Sequence, residues 1–479
     1  MKQQVLFTTI QSGDCTVKNV RCTFTIPVRL SDPLELCFAP TREQADLLGF
    51  PFKFSVSGQI EDSEGRPVFA IHADKVFQKY GGSTQWGPAI REYVILGDPH
   101  DLTVDDLWNP SGVDTFQAAK GSFWLTPNIF LAPDKFLLLK ITGASKILKH
   151  RCIRFQLLNG TKVTFDTHYR SIDHEEGSLR VPELVAVFEL ASKERVPETL
   201  TLLDDLLLLV SFAARQRCVC LGWDAADSSG LTRYFRRSMR APTIRKDHSF
   251  NEALILPEDF KKFIRCTYRR FATSPQQDLL RQALQRLVFD EDSIFDHSFL
   301  RLYSAVETLV FFFRGKNAPE EVLSAERWEP IKKELEKELR KFLKSHNLSS
   351  NERKLMYEKL PELNRVAFTT ALQEFLSKYP VELSDLWPLA SAGPNAISLS
   401  DIRHRLVHGD WINPEENRAL AIALEHLRWT AERLTLATLG WPIEKSRVYL
   451  LEEMANADFQ RESQQAMTFL ASRWKRTNS

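Results

Sequence analysis

The hydrophobic period of this chain changes near Pro197, and that change sets the fold class. Before it, apolar residues come in short runs rich in Val, Ile, Phe and Thr. "FKFSVSGQI", "PVFAIHADKVF" and "CIRFQLLNGTKVTFD" are examples, separated by Gly, Pro, Asn and Asp. Runs of this kind read as strands, and "EDSEGRP" and "LNGTK" carry hairpin-turn chemistry. After Pro197 the period lengthens to that of helices, and long amphipathic stretches follow one another to about residue 440. The expected class is α+β and multidomain. A β-rich, sandwich-like or barrel-like half (1–195) precedes a connecting helix and basic segment (196–275). An all-α bundle (276–440) and a helical tail (441–479) complete the chain.

Several function classes fall away on composition. Of 479 residues, 43% are hydrophobic and 26% charged, with a net charge of +1, so no global field draws the molecule to nucleic acid or membrane. An anionic partner needs a local patch. Seven cysteines and an N-terminus without an apolar signal-type core fit a cytoplasmic protein. The most apolar stretch, "TLTLLDDLLLLVSFAA" (199–214), is interrupted by Asp204 and Asp205 and is too short to span a bilayer. It reads as a buried helix. Cys218-Val219-Cys220 has no second cysteine pair, so it reads as apolar strand rather than zinc ligand. "HYRSIDH", between His168 and His174, reads as a polar loop.

Two later segments carry more chemistry. Residues 231–290 hold 13 Lys/Arg against 6 Asp/Glu, with Tyr234, Phe235, Tyr268 and Phe271 among the cations. Cations beside aromatic faces suit phosphates and unstacked bases; a solvated segment paired with acids elsewhere has the same composition. The other segment is "SLSDIRHRLVHGD" (398–410). Ser398 or Ser400 can cap a helix there and Gly409 can end it. Leu399, Ile402 and Leu406 share one face, and Arg403 lies at its edge. His404 and His408 are one turn apart on the other side. Arg403 and His408 are about 140° apart around the axis, so one helix does not readily aim both at one phosphate. Two copies related by a two-fold axis can.

Three jobs fit these side chains. RNA carries its own nucleophile, the 2′-hydroxyl. Its cleavage needs a base, an acid and a cation, which histidine and arginine supply without metal. His404 and His408 at i, i+4 are also metal-ligand spacing, with Asp410, Glu425 or His426 as further donors, but the flanking arginines oppose a cation. The third job is a polar helix end with paired charges and no chemistry.

The R-x4-H pattern of Arg403 and His408, late in a helical bundle and before a long closing helix, resembles the HEPN superfamily of helical nucleases, closest to its Apea-like group in bacterial antiphage and abortive-infection proteins. "LRLYSAVETLVFFF" (300–313) looks like that group's early bundle helix, and "DIRHRLVHGD" (401–410) carries the signature. The likeness spans residues 280–440, about a third of the chain. It implies a metal-independent endoribonuclease without cofactor, acting on RNA (transfer RNA among the candidates) as a homodimer and leaving 2′,3′-cyclic phosphates. It implies Arg403 as the phosphate-binding cation, His408 as acid/base and His404 as an orienting group. Arg405 is assigned to the substrate backbone or a neighbouring acid, and Glu307 is either a brace for the site or the partner of Arg301, Arg405 or another cation in a structural ion pair. The β-rich half is then a sensor for a phage-derived trigger, with no membrane partner. The alternative within the same resemblance is an inactive bundle that binds RNA or protein as an adaptor.

Overall fold

The computed structural model describes residues 12–17, 20–25, 36–39, 53–61, 67–86, 90–99, 101–106, 119–131, 152–174, 177–227, 230–236, 252–288, 294–312, 321–346, 348–390, 396–409, 412–448 and 458–474. The chain forms two compact units, Met1–Asn251 and Glu252–Ser479. The first is largely antiparallel sheet and the second is helical, so the protein is α+β.

In the first unit, thirteen strands form one hydrogen-bonded sheet. Six of them close on themselves: β1 (Ser12–Val17), β2 (Val20–Thr25), β3 (Leu36–Ala39), β6 (Ile90–Pro99), β5 (Pro67–Trp86) and β4 (Lys53–Glu61), which pairs back to β1. Of the two expected forms the closed, barrel-like one is found, in place of the sandwich-like one, and it is continuous with an open sheet. The physical reason is β5. At 20 residues it is long enough to pair β4 along one edge and, successively, β7 (Asp101–Asp106) and β6 along the other. From β7 the sheet runs through β13 (Gly230–Arg236), β12 (Cys220–Asp227), β8 (Ala119–Leu125), β11 (Gly177–Leu190), β10 (Lys162–His174) and β9 (Ile153–Gln156). "HYRSIDH" lies within β10, paired residue by residue with β11, and is strand rather than loop. "EDSEGRP" falls almost entirely outside the described residues.

Helix α1 (Val196–Ala214) is the apolar stretch noted above, and most of its residues are buried. Asp204 is accommodated by an ion pair with Arg236 of β13 at 2.9 Å. Cys218 and Cys220 are buried, and burial pushes both thiols up to about 12, so they are protonated at neutral pH.

The second unit holds α2 (Phe260–Ala272), α3 (Gln277–Leu287), α4 (Phe295–Phe312), α5 (Ala325–Ser345), α6 (Ser350–Glu358), α7 (Phe368–Lys378), α8 (Leu399–Val407), α9 (Asn417–Leu439) and α10 (Asp458–Trp474). Helix α2 thus belongs to this unit. Its centre is α4, where Phe299, Leu302, Tyr303, Ala305, Val306, Leu309 and Val310 are buried against α3, α7, α8 and α9. Burying so many large apolar side chains supplies the main driving force of the bundle. Helix α5 faces water apart from Leu343, as its alternating charges require. Pro361 marks the break between α6 and α7. Among the described residues no helix is long and apolar enough to cross a membrane.

Candidate functional site

Helix α8 is built by local rules. Ser398 caps it: its Oγ accepts from the Asp401 N–H, and the Asp401 carboxylate accepts from the Ser398 N–H at 2.7 Å. Gly409 ends it at φ +72°, the left-handed stop expected there. The start of α8 is pinned to the segment before it. The Leu399 and Ser400 N–H groups donate to Pro388 and Leu389 carbonyls at 2.9 Å each, and the Trp387 indole donates to the Ile397 carbonyl at 2.7 Å. Leu399 and Ile402 are fully buried, whereas Leu406 is half-buried.

This scaffold aims Arg403 at α4. Its guanidinium lies 3.5 Å from the Glu307 carboxylate and 5.8 Å from the centre of the Tyr303 ring. Tyr303 and Glu307 are one turn apart on α4 and so present one face to it. The Tyr303 hydroxyl is in turn 2.6 Å from Ser400 Oγ, and Ser400 Oγ donates to the Leu389 carbonyl at 2.7 Å. Burial pushes the Tyr303 phenol up to about 12, so it stays a neutral hydrogen-bonding group. Arg403 keeps over a third of its side chain exposed, which leaves donors for a ligand.

The two histidines point the other way. His404 and His408 are exposed, with ring centres 4.2 Å apart and edge to face. The structure therefore brings together Glu307, Tyr303 and Arg403 on one side of α8, and His404 with His408 on the other. Arg405 goes elsewhere. Its guanidinium lies 4.4 Å from the centre of the Trp474 ring of α10, and the Trp474 indole donates to Glu416 at 3.0 Å.

Of the other donors weighed for a metal, His426 is fully buried and its Nδ1 accepts from the Trp387 N–H at 3.0 Å. Desolvation pulls its pKa down to about 4, so it is a neutral structural acceptor. Asp410 lies outside the described residues. Among the described residues no three His, Cys, Asp or Glu side chains come together.

Sequence reasoning missed Tyr303 and Trp474, and weighed Ser400 only as a cap, a job Ser398 holds. Tyr303 had a signal, its i, i+4 spacing to Glu307. Trp474 had none, because its partner is 69 positions away in the chain.

No family model, no curated protein and no solved structure matches the chain.

Proposed function

We propose that the protein is a metal-independent endoribonuclease of the HEPN type, cleaving RNA at a site made from the α8 helices of two copies. The observation that carries the reading is the layout of α8. A half-exposed guanidinium, oriented by Glu307 and Tyr303, lies within about one and a half helical turns of two exposed imidazoles in contact. Arginine grips phosphate through its fork of donors, and an imidazole pair can take one proton and give another. Because Arg403 and the histidines face apart on one helix, a second copy is what lets a guanidinium of one subunit meet the imidazoles of the other. In this reading His408 is the acid/base, His404 its orienting neighbour and Arg403 the phosphate-binding cation. Glu307 and Tyr303 are positioning residues. A defence role, with the β-rich unit restraining the nuclease until a trigger arrives, fits the same reading.

The test is cleavage of RNA by the full chain, with ends mapped. His408→Ala should cost about 10²–10⁴ in rate, and chelation of divalent ions should cost nothing. Unchanged cleavage by a folded His408→Ala protein would sink the assignment. A second reading, an RNA-binding adaptor without catalysis, is favoured by the Glu307 pair, which already offsets the Arg403 charge. It predicts a gel shift with no new ends.

A further inference from the structure

We infer that the solvent face of α2 is a second contact surface for nucleic acid, one that holds RNA by its phosphates well away from α8. The inference takes the RNA of the reading above as its ligand but stands on different residues.

Helix α2 is sharply divided. Phe260, Phe263, Ile264, Thr267, Tyr268 and Phe271 are buried, while Lys261, Lys262, Arg265, Arg269 and Arg270 are exposed. The helix contains no acid. By the 3.6-residue period, Lys261, Lys262, Arg265 and Arg269 fall within roughly 100° of one another, along about 12 Å of axis. Among the described residues none of these four has a carboxylate within ion-pair distance. Arg270 points elsewhere, over Gly440 at the end of α9, where a Cβ would collide with its guanidinium. The nearest acids in sequence, Glu258 and Asp259, sit before the first turn, where they complement the helix dipole rather than the cations. The segment after α9 pairs with residues 254–255, ahead of α2, and carries two half-buried cations, Lys445 and Arg447, against Glu444. The other arginines of the basic stretch are used differently: Arg233 is buried, and Arg236 is paired with Asp204.

The chemistry of this face selects among polyanions. A membrane-bound helix puts apolar side chains into the lipid, yet every large apolar residue of α2 is buried in the bundle. A protein partner needs an apolar or aromatic centre to its interface, and this face has none. A phosphate backbone needs only spaced cations.

Position extends the inference to substrate class. Phe263 packs edge-to-face on Trp441, 5.3 Å between ring centres, at the C-terminal end of α9. Glu416, bonded to Trp474 beneath Arg405, marks the N-terminal end. The 23 residues of α9 separate the two ends by about 33 Å. An RNA touching both surfaces at once must reach about 33 Å, roughly ten base pairs of duplex, which transfer RNA and other structured RNAs exceed.

The experiment measures affinity of the full chain for labelled bulk transfer RNA across a salt series. The wild type is compared with the fourfold variant Lys261→Gln, Lys262→Gln, Arg265→Gln and Arg269→Gln. Glutamine keeps helix propensity, and the replaced side chains are exposed, so folding is retained and is checked by melting. The variant should bind at least tenfold more weakly, with a log K against log[salt] slope shallower by about three. Equal affinity and slope, or wild-type binding to phosphatidylserine vesicles instead of RNA, would overturn the inference. In the double variant Arg403→Ala, His408→Ala, adding the fourfold change should still weaken binding at least tenfold; no further loss would overturn the inference. If α2 is needed for binding but no protein cleaves RNA, the surface stands and the nuclease reading falls.

Discussion

Arg403 of α8 meets Glu307 of α4 across 3.5 Å, and Tyr303 lies one turn before that carboxylate under the same guanidinium. An acid is costly within an apolar helix unless paired, and Glu307 is turned to face the Arg403 cation. Both side chains stay more than a third exposed, so the pair contributes at most about 1 kcal/mol to stability. Its value is orientation.

Glu307→Gln should accordingly leave the melting temperature within a few degrees of wild type. If the proposed nuclease function holds, RNA cleavage should drop by up to about 10²-fold through misplacement of the Arg403 guanidinium. Paired melting and initial-rate measurements check it; a large loss of stability would mean the carboxylate is structural.

Tyr303 links stability to alkaline pH. Its phenol is raised from about 10 to about 12 by burial. The folded state therefore holds this proton more tightly than the unfolded chain does. The contribution is complete below pH 10 and is lost as pH rises towards 12. Tyr303→Phe should flatten that part of the stability curve, at the cost of the hydrogen bond to Ser400, about 1 kcal/mol. Denaturant unfolding at pH 9 and pH 11 compares the two proteins.

His426 works in the opposite direction. Desolvation lowers it from 6.5 to about 4, so the folded state prefers the neutral ring that accepts from Trp387. That contribution is present above pH 6.5 and lost as pH falls to 4, about 3 kcal/mol in all. NMR titration should find His426 uncharged at pH 5.5, and His426→Gln should remove much of the acid sensitivity. A ring that titrates near 6.5 would contradict the burial.

Two glycines at the same φ of +72° make a controlled pair. At Gly409 an added Cβ meets open space, so Gly409→Ala should cost only the backbone strain, about 1 kcal/mol. At Gly440 it also meets the Arg270 guanidinium, the mobile end of a long side chain, so Gly440→Ala should cost the same strain plus only the displacement of Arg270, a few tenths of a kcal/mol more. Chemical denaturation of the two variants gives the ranking directly.

What could be read from the sequence follows the range of the forces involved. Capping by Ser398, the stop at Gly409, the burial of α1 and α4 and the exposure of α5 are set by neighbours within a few residues, and periodicity exposes them. The strand identity of "HYRSIDH" was hidden because polar residues carry no hydrophobic alternation, and β11 supplies the pairing. The ring closed by β4 and β5 depends on which strands meet in space, which composition does not encode. At the site, Arg403, His404 and His408 were legible because they share one helix. That Arg403 would choose Glu307 over Arg301's claim on it, and that Arg405 would turn to Trp474, depends on packing between helices far apart in sequence. Arg301 instead donates to the Arg286 carbonyl.

The stacking of Arg405 on Trp474 has a practical corollary. Any fusion tag, tether or crosslink that pulls on α10 from its C-terminal end also pulls, through Trp474 and Arg405, on the helix bearing Arg403 and His408. Assays made on differently tagged versions of this chain should therefore disagree in a patterned way, and the tag-free protein is the one to believe.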